Sequence, residues 1–148
     1  MTPARIEPAG NRDLDSLTAL LDAGHLPTDD LLEHLQTALV ARDAAGVIGC
    51  VALEPYGNAA LPRSLAVTPS HRGHGVGQQL TRAALDLVRR HRVAAVYLLT
   101  TTAGDFFARH FAFRPIVRAE VPTAVQRSVE FIGACPQSAQ AMVRELRA

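Results

Sequence analysis

Val67-Thr68-Pro69-Ser70-His71-Arg72-Gly73-His74-Gly75-Val76-Gly77-Gln78-Gln79-Leu80 follows an apolar segment and opens a helical pattern. Its centre reads R-G-x-G-x-G. Glycines let a backbone turn tightly and approach a ligand without Cβ atoms in the way. A helix starting directly behind such a loop adds unpaired N–H groups and the positive end of its dipole. Together these features predict a cradle for a phosphate or pyrophosphate. Two common phosphate loops are excluded. A P-loop needs Lys followed by Ser or Thr after its last glycine, and neither follows here. The dinucleotide fingerprint G-x-G-x-x-G would place its third glycine one residue later than Gly77.

Outward from the loop, the pattern alternates between strand and helix. Arg5 to Pro8 reads as a strand. Asn11 or Asp13 can cap a helix with the apolar face Leu14, Leu17, Leu20 and Leu21. His25-Leu26-Pro27-Thr28 breaks it, and Asp30-x-x-Glu33 forms a capping box for a second helix. Leu39 to Arg42 and Val47 to Glu54 read as strands around a turn at Ala44-Ala45-Gly46. A turn at Pro55-Tyr56-Gly57-Asn58 leads to a strand from Ala60 to Val67. The helix behind the loop runs from Gly75 to His91 and buries Val76, Leu80, Ala84, Leu87 and Val88. Val93 to Thr102 is a strand, followed by a short helix near Asp105 and a strand from Arg114 to Ala119. Pro122 to Phe131 reads as helical, with the proline tolerated in the first turn. Gln140 to Leu146 closes the chain as a strand.

Composition narrows the classes. A chain of 148 residues that is 48% apolar and 20% charged suits one globular domain over residues 1–148. No apolar run spans a membrane. Met1-Thr2-Pro3-Ala4-Arg5 lacks the apolar core of a signal peptide, so a cytoplasmic location is expected. Net charge is +1, and the cluster Arg89-Arg90-His91-Arg92 suits a helix C-terminus rather than a nucleic-acid surface. With 5% aromatic residues and no Trp, base-stacking platforms are not expected. Cys50 and Cys135 are too few for a zinc motif and read as small apolar residues. His71 and His74 fall inside the phosphate loop, so no metal site is expected.

Leu65-Ala66-Val67-x-Pro69-x-x-Arg72-Gly73-x-Gly75-x-Gly77-x-x-Leu80 resembles the acetyl-CoA loop of the GNAT (GCN5-related) N-acetyltransferases. The signature [QR]-x-x-G-x-[GA] of that family is met by Arg72, Gly75 and Gly77. The order of elements is also that of the GNAT fold. The resemblance implies a mixed α/β protein with a single central sheet of about seven strands flanked by helices. It implies acetyl-CoA as co-substrate and transfer of acetyl to an amine. The pyrophosphate would be held by Arg72, Gly73, His74, Gly75, Val76, Gly77 and Gln78. The pantetheine arm would pair with Leu65, Ala66 and Val67, and Thr101 and Phe107 would complete the cofactor site. In the family a bulge near this strand frees an amide that polarises the thioester carbonyl.

The acid departs from the family pattern. Many members carry a tyrosine in F-Y-x-x-x-G-F, whereas this chain reads Phe106-Phe107-Ala108-Arg109-His110-Phe111-Ala112-Phe113. Phe107 or Ala108 holds the tyrosine position, and neither donates a proton. Glu54 is the candidate base, acting on the amine directly or through water, with a surface role beside a turn as the alternative. Tyr56 is a substrate contact or a turn residue. Ser64 is a further substrate-facing candidate. Arg63 shares a face with Leu61, Leu65 and Val67 by period two, and either clamps a substrate carboxylate or forms a surface ion pair. Asp29 and Asp30 cap a helix or attract a cationic amine.

A narrower resemblance rests on Leu26-Pro27-Thr28-Asp29-Asp30-Leu31, Leu53-Glu54-Pro55-Tyr56-Gly57, Arg63-Ser64-Leu65-Ala66-Val67, Tyr97-Leu98-Leu99-Thr100-Thr101-Thr102 and Cys135-Pro136-x-Ser138-Ala139. These segments are similar to small GNAT proteins of bacterial arsenic-resistance operons, which implies a detoxifying acetyltransferase. A small-molecule amine is the expected partner, with no nucleic acid and no membrane. A homodimer paired through the C-terminal strand is a further expectation by analogy. A non-catalytic acyl-CoA sensor and a protein N-acetyltransferase are the alternatives.

Overall fold

The computed structural model describes residues 4–26, 28 and 31–146. Asp29, Asp30 and Pro27 lie outside them, and with them the roles expected for that acidic pair. The strands are β1 (Arg5–Pro8), β2 (Ala38–Asp43), β3 (Gly46–Tyr56), β4 (Ala59–Val67), β5 (Ala95–Thr100), β6 (Arg114–Ile116) and β7 (Gln140–Glu145). The helices are α1 (Leu14–Ala23), α2 (Val76–Arg90), α3 (Gly104–Phe111) and α4 (Thr123–Gln126). The strands form one seven-stranded sheet in the order β1-β2-β3-β4-β5-β7-β6. β4 and β5 pair in parallel, and β7 runs antiparallel to both β5 and β6. The expected mixed sheet of the α/β class is therefore present. The C-terminal strand β7, expected as a pairing edge, is interior between β5 and β6. The edge on that side is β6, whose central residue is Pro115. A proline there lacks the N–H that edge pairing needs.

By its contacts the chain divides into two compact units. The first comprises Met1–Leu53 with Ser64–Leu87, and the second Glu54–Arg63 with Val88–Ala148. In the first, Leu17, Leu20, Leu21, Leu31, Leu35, Val40, Cys50 and Ala66 form a buried cluster. The helix expected after Asp30 is instead a run of 3-10 turns from Leu31 to Thr37. It still buries Leu31 and Leu35, and it ends where the Thr37 hydroxyl donates to the Leu53 carbonyl. In the second, Ala59, Leu61, Val121, Val125 and Ala141 form the core. The helical stretch expected from Pro122 to Phe131 is shorter. α4 stops at Gln126, and a π-type turn follows from Glu130 to Ala134. Among the described residues no helix is long and apolar enough to cross a membrane.

Ser64 in β4 has φ +60°, a left-handed conformation that is rare for a residue with a side chain. Before it Ala59, Ala60, Leu61 and Arg63 are buried; after it Ala66 is buried, while Leu65 and Val67 are half-buried.

Candidate active site

The loop after β4 belongs to the first unit. The Thr68 amide donates to the Ile48 carbonyl at 2.8 Å, and a 3-10 turn spans Pro69–His71. The His71 ring braces this turn. Its Nε2 lies 3.1 Å from Asp43 Oδ2, and its Nδ1 lies 2.8 Å from Thr68 Oγ1 and 3.1 Å from Ser70 Oγ. Asp43 and His71 are distant in sequence, so nothing in the spacing indicated this pairing. Arg72 donates Nε–H to the Val67 carbonyl at 3.1 Å and is otherwise exposed.

Beyond Arg72 the chain turns through Gly73 at φ +82° and Gly75 at φ +84°, conformations that favour glycine. The Gly75 carbonyl accepts the first helical hydrogen bond, from Gln79 N–H at 3.0 Å. The N–H groups of Val76, Gly77 and Gln78, in the first turn of α2, have no intrahelical acceptor, as at every helix start. The first turn of α2 sits close on β3. A Cβ at Gly49 would lie 3.0 Å from Leu80 Cδ1, 3.1 Å from the Ala66 carbonyl and 3.2 Å from Val76 Cγ1. Of the stripe expected on α2, Val76, Leu80, Ala84 and Val88 are buried, and Thr81 and Leu85 join them.

The second unit holds a buried polar cluster that gathers Glu54, Tyr56 and Arg63. Arg63 Nη1 donates to Glu54 Oε2 at 2.9 Å, and its Nη2 stands 3.3 Å from Glu130 Oε2. The side chains of Arg63 and Glu54 are 1% and 2% exposed. The Tyr56 hydroxyl donates to Glu54 Oε1. The Cys135 thiol donates to Glu130 Oε1 at 3.2 Å, and Glu130 N–H donates to Ser128 Oγ at 3.1 Å. Burial first, then the Glu130 carboxylate beside it, pushes the Cys135 thiol up to about 12. Burial alone does the same for Cys50, which is also raised to about 12. Both stay as thiols at neutral pH, and each has its own local partner, since Cys50 Sγ donates to the Ser64 carbonyl at 3.2 Å.

Arg63 is not half of a surface pair, because its guanidinium is enclosed and faces two protein carboxylates. Glu54 is not a surface residue beside a turn, because β3 extends through it to Tyr56. Glu130 and Cys135 were not expected at the site at all. They come from the π-type turn and the residue after it, a segment with no periodic signal.

α3 settles the register of the aromatic segment. It ends at Ala112, which adopts a left-handed conformation with φ +57°. That is the position where helices most often place glycine. Ala112 therefore occupies the glycine position of F-Y-x-x-x-G-F, and Ala108, which is exposed, occupies the tyrosine position. Phe107 is 8% exposed. Its ring lies 5.1 Å from Phe106 and 5.6 Å from Phe113, and it packs against both. Thr101 is exposed just after β5.

An α/β sheet that feeds a glycine-turned loop into the N-terminus of a long helix defines a protein built to bind a phosphorylated ligand. The comparisons with known proteins make this specific. Residues 34–113 match the family profile described as "Acetyltransferase (GNAT) domain", and the chain belongs to that family. A relative from Chlorobaculum tepidum, the uncharacterised N-acetyltransferase CT2212, is 30% identical over 100 residues. That match covers 67% of this chain and 63% of the relative. Rv2747 from Mycobacterium tuberculosis, solved with CoA and NLQ, is 26% identical with a TM-score of 0.82, covering 97% of this chain and 99% of its own. N-acetylglutamate synthase from Neisseria gonorrhoeae, solved with coenzyme A and N-acetyl-glutamate, shares the fold at a TM-score of 0.84 and 21% identity. The match covers 98% of this chain but 35% of the synthase. The family is one of acyltransferases with acetyl-CoA as co-substrate, as the sequence resemblance implied.

Proposed function

We propose that this chain catalyses acetyl-CoA-dependent N-acetylation of a small-molecule amine. The observation that carries the reading is the loop turned through left-handed Gly73 and Gly75 directly into the N-terminus of a 15-residue helix, whose first N–H groups have no intrahelical acceptor. Such donors suit the CoA pyrophosphate, with Arg72, Gly73, His74, Gly75, Val76, Gly77 and Gln78 as its binding residues. Leu65, Ala66 and Val67 hold the pantetheine arm through their backbone. The left-handed twist at Ser64 turns an adjacent amide toward the thioester carbonyl, where it stabilises the developing oxyanion. Thr101 contributes a hydroxyl to the cofactor. Two of the structures similar to this chain were solved in complex with CoA together with N-acetyl-glutamate or NLQ. Amino acids are therefore the first acceptors to test, together with the amino-acid-like arsenicals suggested by the resemblance to arsenic-operon proteins.

The test is a thiol-release screen with acetyl-CoA against amino acids, polyamines, aminoglycosides and organoarsenicals. Release that depends on one amine, with the acetylated product identified by mass, supports the reading. Failure of the protein to bind acetyl-CoA would overturn it. A second reading, an acyl-CoA sensor without turnover, is favoured by Ala108 at the position of the family's acid. Tight acetyl-CoA binding with no amine-dependent thiol release would select it.

A further inference from the structure

We infer that a contact between Asp43 and His71 presets the acetyl-CoA loop, so that both are positioning residues for cofactor binding. The inference rests on the acetyltransferase reading and adds what holds the cofactor loop in shape. All of its parts lie in the first unit. Asp43 is the last residue of β2, where the chain turns through Gly46 at φ +110° into β3. Its carboxylate serves two elements at once. Oδ1 accepts the Ala45 N–H at 2.8 Å and so fixes the turn, while Oδ2 lies 3.1 Å from His71 Nε2. With one oxygen held by the turn, the other swings away from the ring only if the turn loosens. On its far side the ring meets Thr68 Oγ1 at 2.8 Å and Ser70 Oγ at 3.1 Å through Nδ1. The side chains of Asp43 and His71 are 13% and 24% exposed, so the contact is largely sheltered from water and stronger for it.

The same hairpin also grips the loop at two other points. Ile48 of β3 accepts the Thr68 N–H at 2.8 Å. Gly49, the next residue of β3, lies so close to α2 that an added Cβ would stand 3.2 Å from Val76 Cγ1 and 3.0 Å from Leu80 Cδ1. The β2–β3 hairpin therefore holds the chain both ahead of the glycines and behind them. Between these holds the backbone passes through Gly73 and Gly75, at φ +82° and +84°. Glycines lose more conformational freedom on ordering than any other residue. A loop held at both ends has less freedom left to lose when a pyrophosphate arrives, and it binds more tightly for that reason. The Asp43–His71 contact is the hold next to Arg72, the first of the proposed pyrophosphate residues. A histidine that only capped its own 3-10 turn would need Thr68 and Ser70 but not Asp43.

The experiment is calorimetric titration of the full chain with acetyl-CoA, beside a thermal melt of each variant. Asp43→Ala and His71→Ala should each weaken acetyl-CoA binding by about tenfold. The double variant should bind no more weakly than the poorer single one, because the two residues act through one contact. Two further substitutions separate the link to Asp43 from the bonds inside the turn. A glutamine amide reaches as far as Nε2, and an asparagine amide only as far as Nδ1. His71→Gln should therefore stay within about threefold of the parent affinity, while His71→Asn should lose about as much as alanine. A contact that served stability alone would lower the melting temperature and leave the affinity, measured well below it, unmoved. Parent-like affinity in folded Asp43→Ala, or an asparagine variant that binds better than the glutamine one, would overturn the brace and leave the acetyltransferase intact. If Asp43→Ala does not fold, the comparison of glutamine with asparagine decides. An unsubstituted chain that binds no acetyl-CoA would overturn both.

Discussion

Replacing Arg63 by methionine tests the buried cluster most directly. The substitution keeps an unbranched chain of similar reach but deletes the charge shared by Glu54 and Glu130. In the folded protein Glu54 is 1% exposed and Glu130 6%. Both lose their ion-pair partner at once, at 2.9 and 3.3 Å. Removing one side of a buried pair costs about 3–5 kcal/mol, because the charge left behind stays desolvated. Single domains are stable by only about 5–15 kcal/mol, so Arg63→Met should remove a large part of the total. At this chain length the loss corresponds to a fall in Tm of roughly 6–20 °C. The assay is urea unfolding followed by far-UV circular dichroism, at constant slope, for a series of variants. Arg63→Lys should lose less, since an ammonium keeps the charge but not the planar fork. The triple variant Arg63→Met, Glu54→Gln, Glu130→Gln should recover about 2 kcal/mol relative to Arg63→Met, because it deletes the stranded charges as well. A loss below about 1 kcal/mol for Arg63→Met, or a triple variant no better than the single one, would refute the account of a closed ionic cluster.

Three further outcomes follow from local geometry. Ala112→Gly should stabilise the protein by about 0.5–1 kcal/mol, because it relieves a left-handed alanine at the end of α3; a lower Tm would contradict that helix end. Gly49→Ala should cost about 1–3 kcal/mol and raise KM for acetyl-CoA, since the added methyl meets the Ala66 carbonyl at 3.1 Å beneath the start of α2. A variant that melts and binds like the parent would show that α2 is not seated there. Asp13 receives both Nη groups of Arg42 at 3.1 Å, which hold its carboxyl below the ordinary 3.8. A depressed value means that its contribution is present above 3.8 and is lost as pH falls through the folded value. Asp13→Asn should therefore lower Tm at neutral pH, with the two melting curves converging on acidification; a gap that persisted in acid would exclude this source.

Sequence made the fold legible where a side-chain pattern is long and regular. α1 and α2 fall within two residues of their expected limits because leucines and alanines repeat at helical spacing over several turns. β3 and β4 fall close to theirs because apolar runs end in turn residues. The reading failed where tertiary partners decide. The capping-box helix became 3-10 turns that bury Leu31 and Leu35. The stretch after Pro122 broke after Gln126, and no local propensity marked Glu130 as a partner of Arg63, 67 positions away in the chain. The loop from Arg72 to Gln78 was legible because glycine spacing is itself a backbone instruction. The cluster around Glu54 was only half legible. Glu54, Tyr56 and Arg63 lie on neighbouring strands, whereas Glu130 and Cys135 arrive through an irregular turn that sequence periodicity does not describe.

Ser64 is left-handed within β4. On one side of it in the chain, Leu61 enters the core of Val121 and Val125, and Arg63 meets Glu54 and Glu130. On the other, Ala66 enters the leucine core, and the chain runs on into the loop. A non-glycine residue in this conformation costs on the order of 1 kcal/mol, and such strain persists only where its surroundings hold it. Here the Cys50 thiol donates to the Ser64 carbonyl, and a buried charged cluster begins at the preceding residue. Glycine at position 64 would remove the local cost but would also loosen the backbone that leads into the loop. A Ser64→Gly protein that gains stability yet loses acetyl-CoA affinity would mean that the strain is retained for the loop.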